Sequence, residues 1–70
     1  MDKPTQPPIF IPSKEVCRRT SLSRASLYRL MAQSAFPNPV VLHGTRKAWI
    51  EAEIEAWINS RIAARGGEAA

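Results

Sequence analysis

Ser23, Arg24, Ser26, Tyr28 and Arg29 fall within one short stretch. Their side chains offer hydroxyl donors and acceptors, two guanidinium forks and an aromatic ring. Arginine in such a group can pair bidentately with a guanine edge or hold a phosphate oxygen. A second group, Gly44-Thr45-Arg46-Lys47, places two cations after a glycine, and Arg18-Arg19 lie just before the first group. This is chemistry for binding a polyanion, not for making or breaking bonds. The chain has one His and one Cys. His43 falls in a turn and Cys17 in a partly buried helix, and no base is set beside a nucleophile. That pair falls short of the three or four ligands of a usual metal site. The glycine pattern fits no phosphate loop. No catalysis, cofactor or metal is expected.

Charge supports the binding reading. The 70 residues carry a net charge of +4. Residues 14–47 hold Lys14, Arg18, Arg19, Arg24, Arg29, Arg46 and Lys47 against Glu15 alone, a net +6. Residues 48–70 hold Arg61 and Arg65 against Glu51, Glu53, Glu55 and Glu68, a net −2. A concentrated positive segment attracts polyanions and speeds their capture.

The elements that must position these residues are legible from period and punctuation. Ser23 is a good N-cap, and Leu27, Leu30 and Met31 then recur at helical spacing on one side. Arg24, Ser26, Tyr28 and Arg29 fall on or near the other side. The helix should run to about Gln33, because Phe36 precedes a proline and is biased away from helix. A shorter helix over roughly Lys14–Thr20 precedes it, with Ser13 as its cap and Val16 pointing inward. Glu15 sits in its first turn, and Arg18 and Arg19 fall near its end, where cations suit the dipole. Those two arginines have a structural role open to them and a phosphate-holding role as well. Thr20-Ser21-Leu22 is the turn, with Leu22 pinning the helices together. Two short helices so joined, the second carrying Arg and Ser outward, form the pattern of a helix-turn-helix.

Either side of this pair the chain is simpler. Residues 1–8 contain Pro4, Pro7 and Pro8 and read as a flexible arm. Ile9-Phe10-Ile11 should lay apolar side chains onto the core. Phe36 is a core anchor in a rigid Phe-Pro-Asn-Pro segment. Val40-Val41-Leu42 reads as a strand, His43–Lys47 as a turn, and Ala48-Trp49 as the return strand of a small hairpin. In a winged helix-turn-helix such a hairpin, the wing, lies over the DNA backbone or minor groove. Ile50, Ile54, Trp57 and Ile58 form the apolar stripe of a third helix to about Arg65, stopped by Gly66-Gly67. Residues 66–70 are a tail. With 70 residues one domain is expected, over residues 9–65, with a thin core. No apolar run approaches the roughly 18 residues of a membrane helix, and no apolar signal core is evident. The lone cysteine suits a reducing compartment, and a cytoplasmic, nucleoid-associated protein is expected.

The order of elements resembles the AlpA-type regulators, small prophage-linked proteins with a MerR-like winged helix-turn-helix, related to phage excisionases. The resemblance rests on Lys14-Glu15-Val16, Thr20 to Leu30, Phe36-Pro37-Asn38-Pro39-Val40 with Leu42, and Trp49 with Glu53 to Ile58. It implies a mainly α fold with a small β-hairpin, sequence-specific DNA binding, control of transcription and no catalysis. It places Ser23, Arg24, Ser26, Tyr28 and Arg29 on the recognition helix and Gly44 to Lys47 on the wing. There are departures. The family usually has glycine where Ser21 stands, and glycine and a basic residue where Ser34 and Ala35 stand. Ile50 replaces a basic residue after the tryptophan. If the first position needs a positive φ, serine adopts it less easily than glycine.

The expected partner is double-stranded DNA, with weak self-association or cooperative binding on it and no membrane. An excisionase that bends DNA is the near alternative, because both functions use the same surface. A helix-turn-helix adaptor for another protein is the distant one. Binding that need not fall steeply with salt would mark the adaptor.

Overall fold

The structure is a computed structural model that describes residues 8–69, with side chains over residues 8–65. The expected arm therefore lies outside the described residues, apart from Pro8. The elements are β1 (Phe10–Ile11), α1 (Ser13–Thr20), α2 (Arg24–Ala32), β2 (Val40–His43), β3 (Arg46–Ile50) and α3 (Glu51–Ala69).

The strands form one antiparallel sheet in the order β1-β3-β2. The hairpin expected from the sequence is thus extended by a third strand. Phe10 lies opposite Ile50 and Ile11 opposite Trp49. The Glu51 N–H then donates to the Ile9 carbonyl at 2.8 Å, tying the start of α3 to the strand before α1.

A small core joins every element except β2, whose four residues are all exposed. Ile11, Val16, Leu27, Phe36, Trp49 and Ile54 are buried together, with Cys17, Leu22, Leu30, Met31, Trp57 and Ile58 packed around them. Burying one such side chain contributes about 1.5–3 kcal/mol. Ile11 alone of the first apolar run is buried; Ile9 and Phe10 stay about half exposed. Strand alternation explains this, because Ile11 and Trp49 share the core side while Phe10 points to the other face.

The two indoles fix the proline-rich connection. Trp49 Nε1–H donates to the Pro37 carbonyl at 3.0 Å, and Trp57 Nε1–H to the Ala35 carbonyl at 3.0 Å. Between them Phe36 meets Trp57 edge-on at 4.8 Å. A segment whose prolines cannot join a ladder is held instead by side-chain donors.

Three local boundaries differ from the sequence expectation. Pro12, not Ser13, caps α1: its φ of −79° and ψ of 167° are extended, and its carbonyl accepts from Val16 N–H at 3.0 Å. Proline is suited to this place, because its fixed φ matches the cap and its missing N–H is not needed there. The hairpin turn is only Gly44-Thr45, since Arg46 already pairs with His43. α3 runs through Gly66-Gly67 to Ala69. Glycine keeps its N–H and disfavours a helix by only about 1 kcal/mol relative to alanine, so it does not by itself end one.

Candidate nucleic-acid interface

The site is built on α2 and the β2–β3 hairpin. α2 begins as expected: Ser23 is extended, and its Oγ accepts from the Ser26 N–H at 3.0 Å. The Ser23 hydroxyl in turn donates to Ser26 Oγ at 3.1 Å. The two serines therefore serve the helix start first. Ser23 is committed as cap and donor, and the Ser26 hydroxyl proton remains available to an outside acceptor.

The turn that sets α2 against α1 is tight. Ser21 adopts φ 63° and ψ 20°, and its N–H returns to the Cys17 carbonyl at 2.8 Å. This is the single-bond left-handed termination of a helix. The position where the resemblance expects glycine does take a positive φ here, on serine. The far end of α2 repeats the device in its two-bond form. Ser34, at φ 58°, donates to the Met31 carbonyl at 3.0 Å, and Ala35 N–H to the Leu30 carbonyl at 2.8 Å. Both helix ends are thus closed by serine in a conformation that favours glycine.

Between these caps Leu27 is fully buried, with Leu30 and Met31 packed beside it. At 100° per residue the outward side of α2 is then Ala25, Tyr28, Arg29 and Ala32. Arg24 and Tyr28, four apart, lie along one flank; Ser26 and Arg29, three apart, lie along the other. Arg24, Tyr28 and Arg29 are exposed and Ser26 is half-buried. The small side chains of Ala25 and Ala32 leave the ridge low between the flanks, so the helix can approach a groove closely.

Arg18 and Arg19 have a different setting. Glu15 accepts from Arg18 Nη2 at 2.6 Å and from Arg19 Nε at 2.8 Å. Arg19 Nη1 also reaches Glu51 at 2.9 Å. Arg18, then Arg19, hold the Glu15 carboxyl at about 2, well below its ordinary value. Arg19 is a bridge between α1 and the first turn of α3, with its side chain 27% exposed; Arg18 is paired but 71% exposed.

By contrast, among the described residues Arg24, Arg29, Arg46 and Lys47 have no carboxylate partner. No acidic residue occurs between Glu15 and Glu51, so α2 and β3 carry positive charge only, and β2 carries none. Arg46 and Lys47 lie on β3 opposite His43 and Val41, and strand alternation sends them to opposite faces of the hairpin. They flank the wing rather than crown its tip, where Gly44 takes φ +57°.

Among the described residues there is no pocket, and no group of three or more potential ligands could hold a metal ion. Among the described residues no helix is long and apolar enough to cross a membrane.

Two helices joined by a left-handed turn, followed by an antiparallel hairpin that packs against the first and third helices, define a winged helix-turn-helix protein. The chain belongs to the AlpA family: residues 10–62 match the family model described as prophage CP4-57 regulatory protein (AlpA). It is also 39% identical over 56 residues to an uncharacterized protein, ORF88, of Enterobacteria phage P4. That match covers 80% of this chain and 64% of the phage protein, so the chain spans less than two thirds of that relative. No solved structure matches it.

Proposed function

We propose that the protein is a sequence-specific DNA-binding transcriptional regulator, acting without catalysis. α2 enters the major groove, and the β2–β3 wing lies over the adjacent backbone and minor groove. The observation that carries this reading is the division among the arginines. Arg18 and Arg19 are taken up by Glu15 and Glu51, whereas among the described residues Arg24 and Arg29 have no carboxylate partner and stand on the exposed side of a helix that carries no acid. An arginine meant only to complete the fold would be expected to resemble Arg19.

Roles then divide by reach. Arg24 and Arg29 read guanine edges or grip phosphates beside them. Tyr28 and the Ser26 hydroxyl donate to phosphate oxygens. Arg46 and Lys47 make contacts independent of sequence. Arg18, exposed but paired, contributes to the backbone field, and Arg19 holds α1 to α3.

The test is a mobility shift on DNA from around the protein's own gene, against random DNA, at two salt concentrations. Retention of one fragment that survives moderate salt is expected. Weak and equal binding that vanishes with salt would overturn the reading and favour an adaptor for another protein.

A further inference from the structure

Leu42 is out of place. The β2–β3 ladder pairs Val40 with Ala48, Val41 with Lys47 and His43 with Arg46, leaving Leu42 as the unpaired residue of a bulge. Leu42 is 45% exposed and Val41 61%. The core does not use either one. A bulge on an edge strand protects it from pairing with other chains, but a polar residue would serve that purpose without exposing a leucine. Bulges also re-aim side chains. Here the re-aimed group is apolar, lies next to the hairpin tip, and stands across from Arg46 and Lys47, which have no carboxylate partner among the described residues.

An apolar side chain beside the tip and cations on the facing strand together match a bent duplex. A leucine inserted between base pairs from the minor groove partly unstacks them and kinks the duplex by about 20–90°. The cations then hold the phosphates on either side of the opened step. An acidic protein partner would be matched by the cations but would leave the exposed leucine unused.

We propose that Leu42 is a wedge that the wing inserts between base pairs in the minor groove of DNA, kinking it. This rests on the DNA-binding reading above. It implies that the bound site carries a flexible pyrimidine–purine step under the wing, because such steps unstack most readily.

The probe is the DNA fragment selected in the mobility shift, carrying donor and acceptor dyes at its ends and a fluorescent aminopurine at successive steps. With wild-type protein, end-to-end transfer should rise and the aminopurine should brighten at one step. Leu42→Ala should abolish both signals and weaken binding about tenfold or more, from the lost burial of the leucine side chain. Leu42→Met should keep both, and circular dichroism should show both variants folded. Arg24→Ala should lose fragment selectivity without restoring a straight duplex in whatever complex forms. Wild-type protein that binds the fragment without bending or unstacking it would overturn the wedge and leave the DNA reading standing. So would Leu42→Ala that bends it fully. Failure of wild-type protein to select any fragment would overturn both.

Discussion

Replacing Ser21 and Ser34 by glycine should stabilise the protein. Each serine holds a positive φ, 63° and 58°, at the end of a helix. A left-handed conformation costs an L-residue about 1–2 kcal/mol, which glycine avoids. Glycine also loosens the unfolded chain, returning about 0.4–1 kcal/mol of that gain. Both serine side chains are exposed, so little packing is lost. The net expectation is about 0.5–1 kcal/mol per site. The two terminations share no hydrogen-bond partner, so the double variant should gain about 1–2 kcal/mol. For a domain of this size each kcal/mol raises Tm by roughly 4–8 °C. Gly44→Ala is the reciprocal case. Nothing lies within 4 Å of an added Cβ at φ +57°, so its penalty of about 1 kcal/mol is backbone strain alone. Urea and thermal unfolding followed by far-UV circular dichroism measure all four proteins. Loss of stability in Ser34→Gly, with Gly44→Ala neutral, would refute the premise that backbone angle governs these positions.

The remaining expectations concern charge, core and contacts. Stability should fall with acid in a defined window. The folded carboxyl of Glu15 titrates at about 2 rather than its ordinary 4.5. Its contribution is therefore complete above about 4.5 and is lost as pH falls toward 2, and Glu15→Gln should remove that part of the acid limb of a pH-dependent melt. Ile54→Ala opens a cavity under α3 at a fully buried position and should cost about 2–5 kcal/mol, enough to leave little folded protein by circular dichroism. Arg24→Ala should weaken binding to the selected fragment by about 1–3 kcal/mol while sparing random DNA. Equal loss on both would remove its base-reading role. Lys47→Ala should weaken all sequences alike and flatten the salt slope by about one unit in a titration over several salt concentrations.

Much of this molecule is written locally. The two faces of α2 follow from residues three and four apart, and the Ser23 cap from one hydroxyl three residues before its donor. The hairpin was legible from a glycine between β-prone runs, and the core from the periods of Val16, Leu27, Ile54 and Trp57. The exposed positions of Arg24, Tyr28 and Arg29 follow from the same arithmetic. None of these depends on a partner far away in the chain.

What the sequence left open lies between distant residues. Arg18 and Arg19 looked alike on paper, each near a helix end. Only the fold brings Glu51 to Arg19, 32 residues away, and makes one arginine a bridge while the other stays at the surface. Pairing of β1 with β3 and the indole bonds to Pro37 and Ala35 are of the same kind, set by which surfaces meet when the core closes. The bulge at Leu42 has no periodic trace either, because it is a mismatch between two strands and belongs to neither alone. Sequence by itself determined the elements, their inward faces and the positive middle of the chain. Tertiary structure decided which of those charges are neutralised by a neighbour and which remain free, because ion pairs and strand register depend on distance in space, and periodicity reports only distance along the chain.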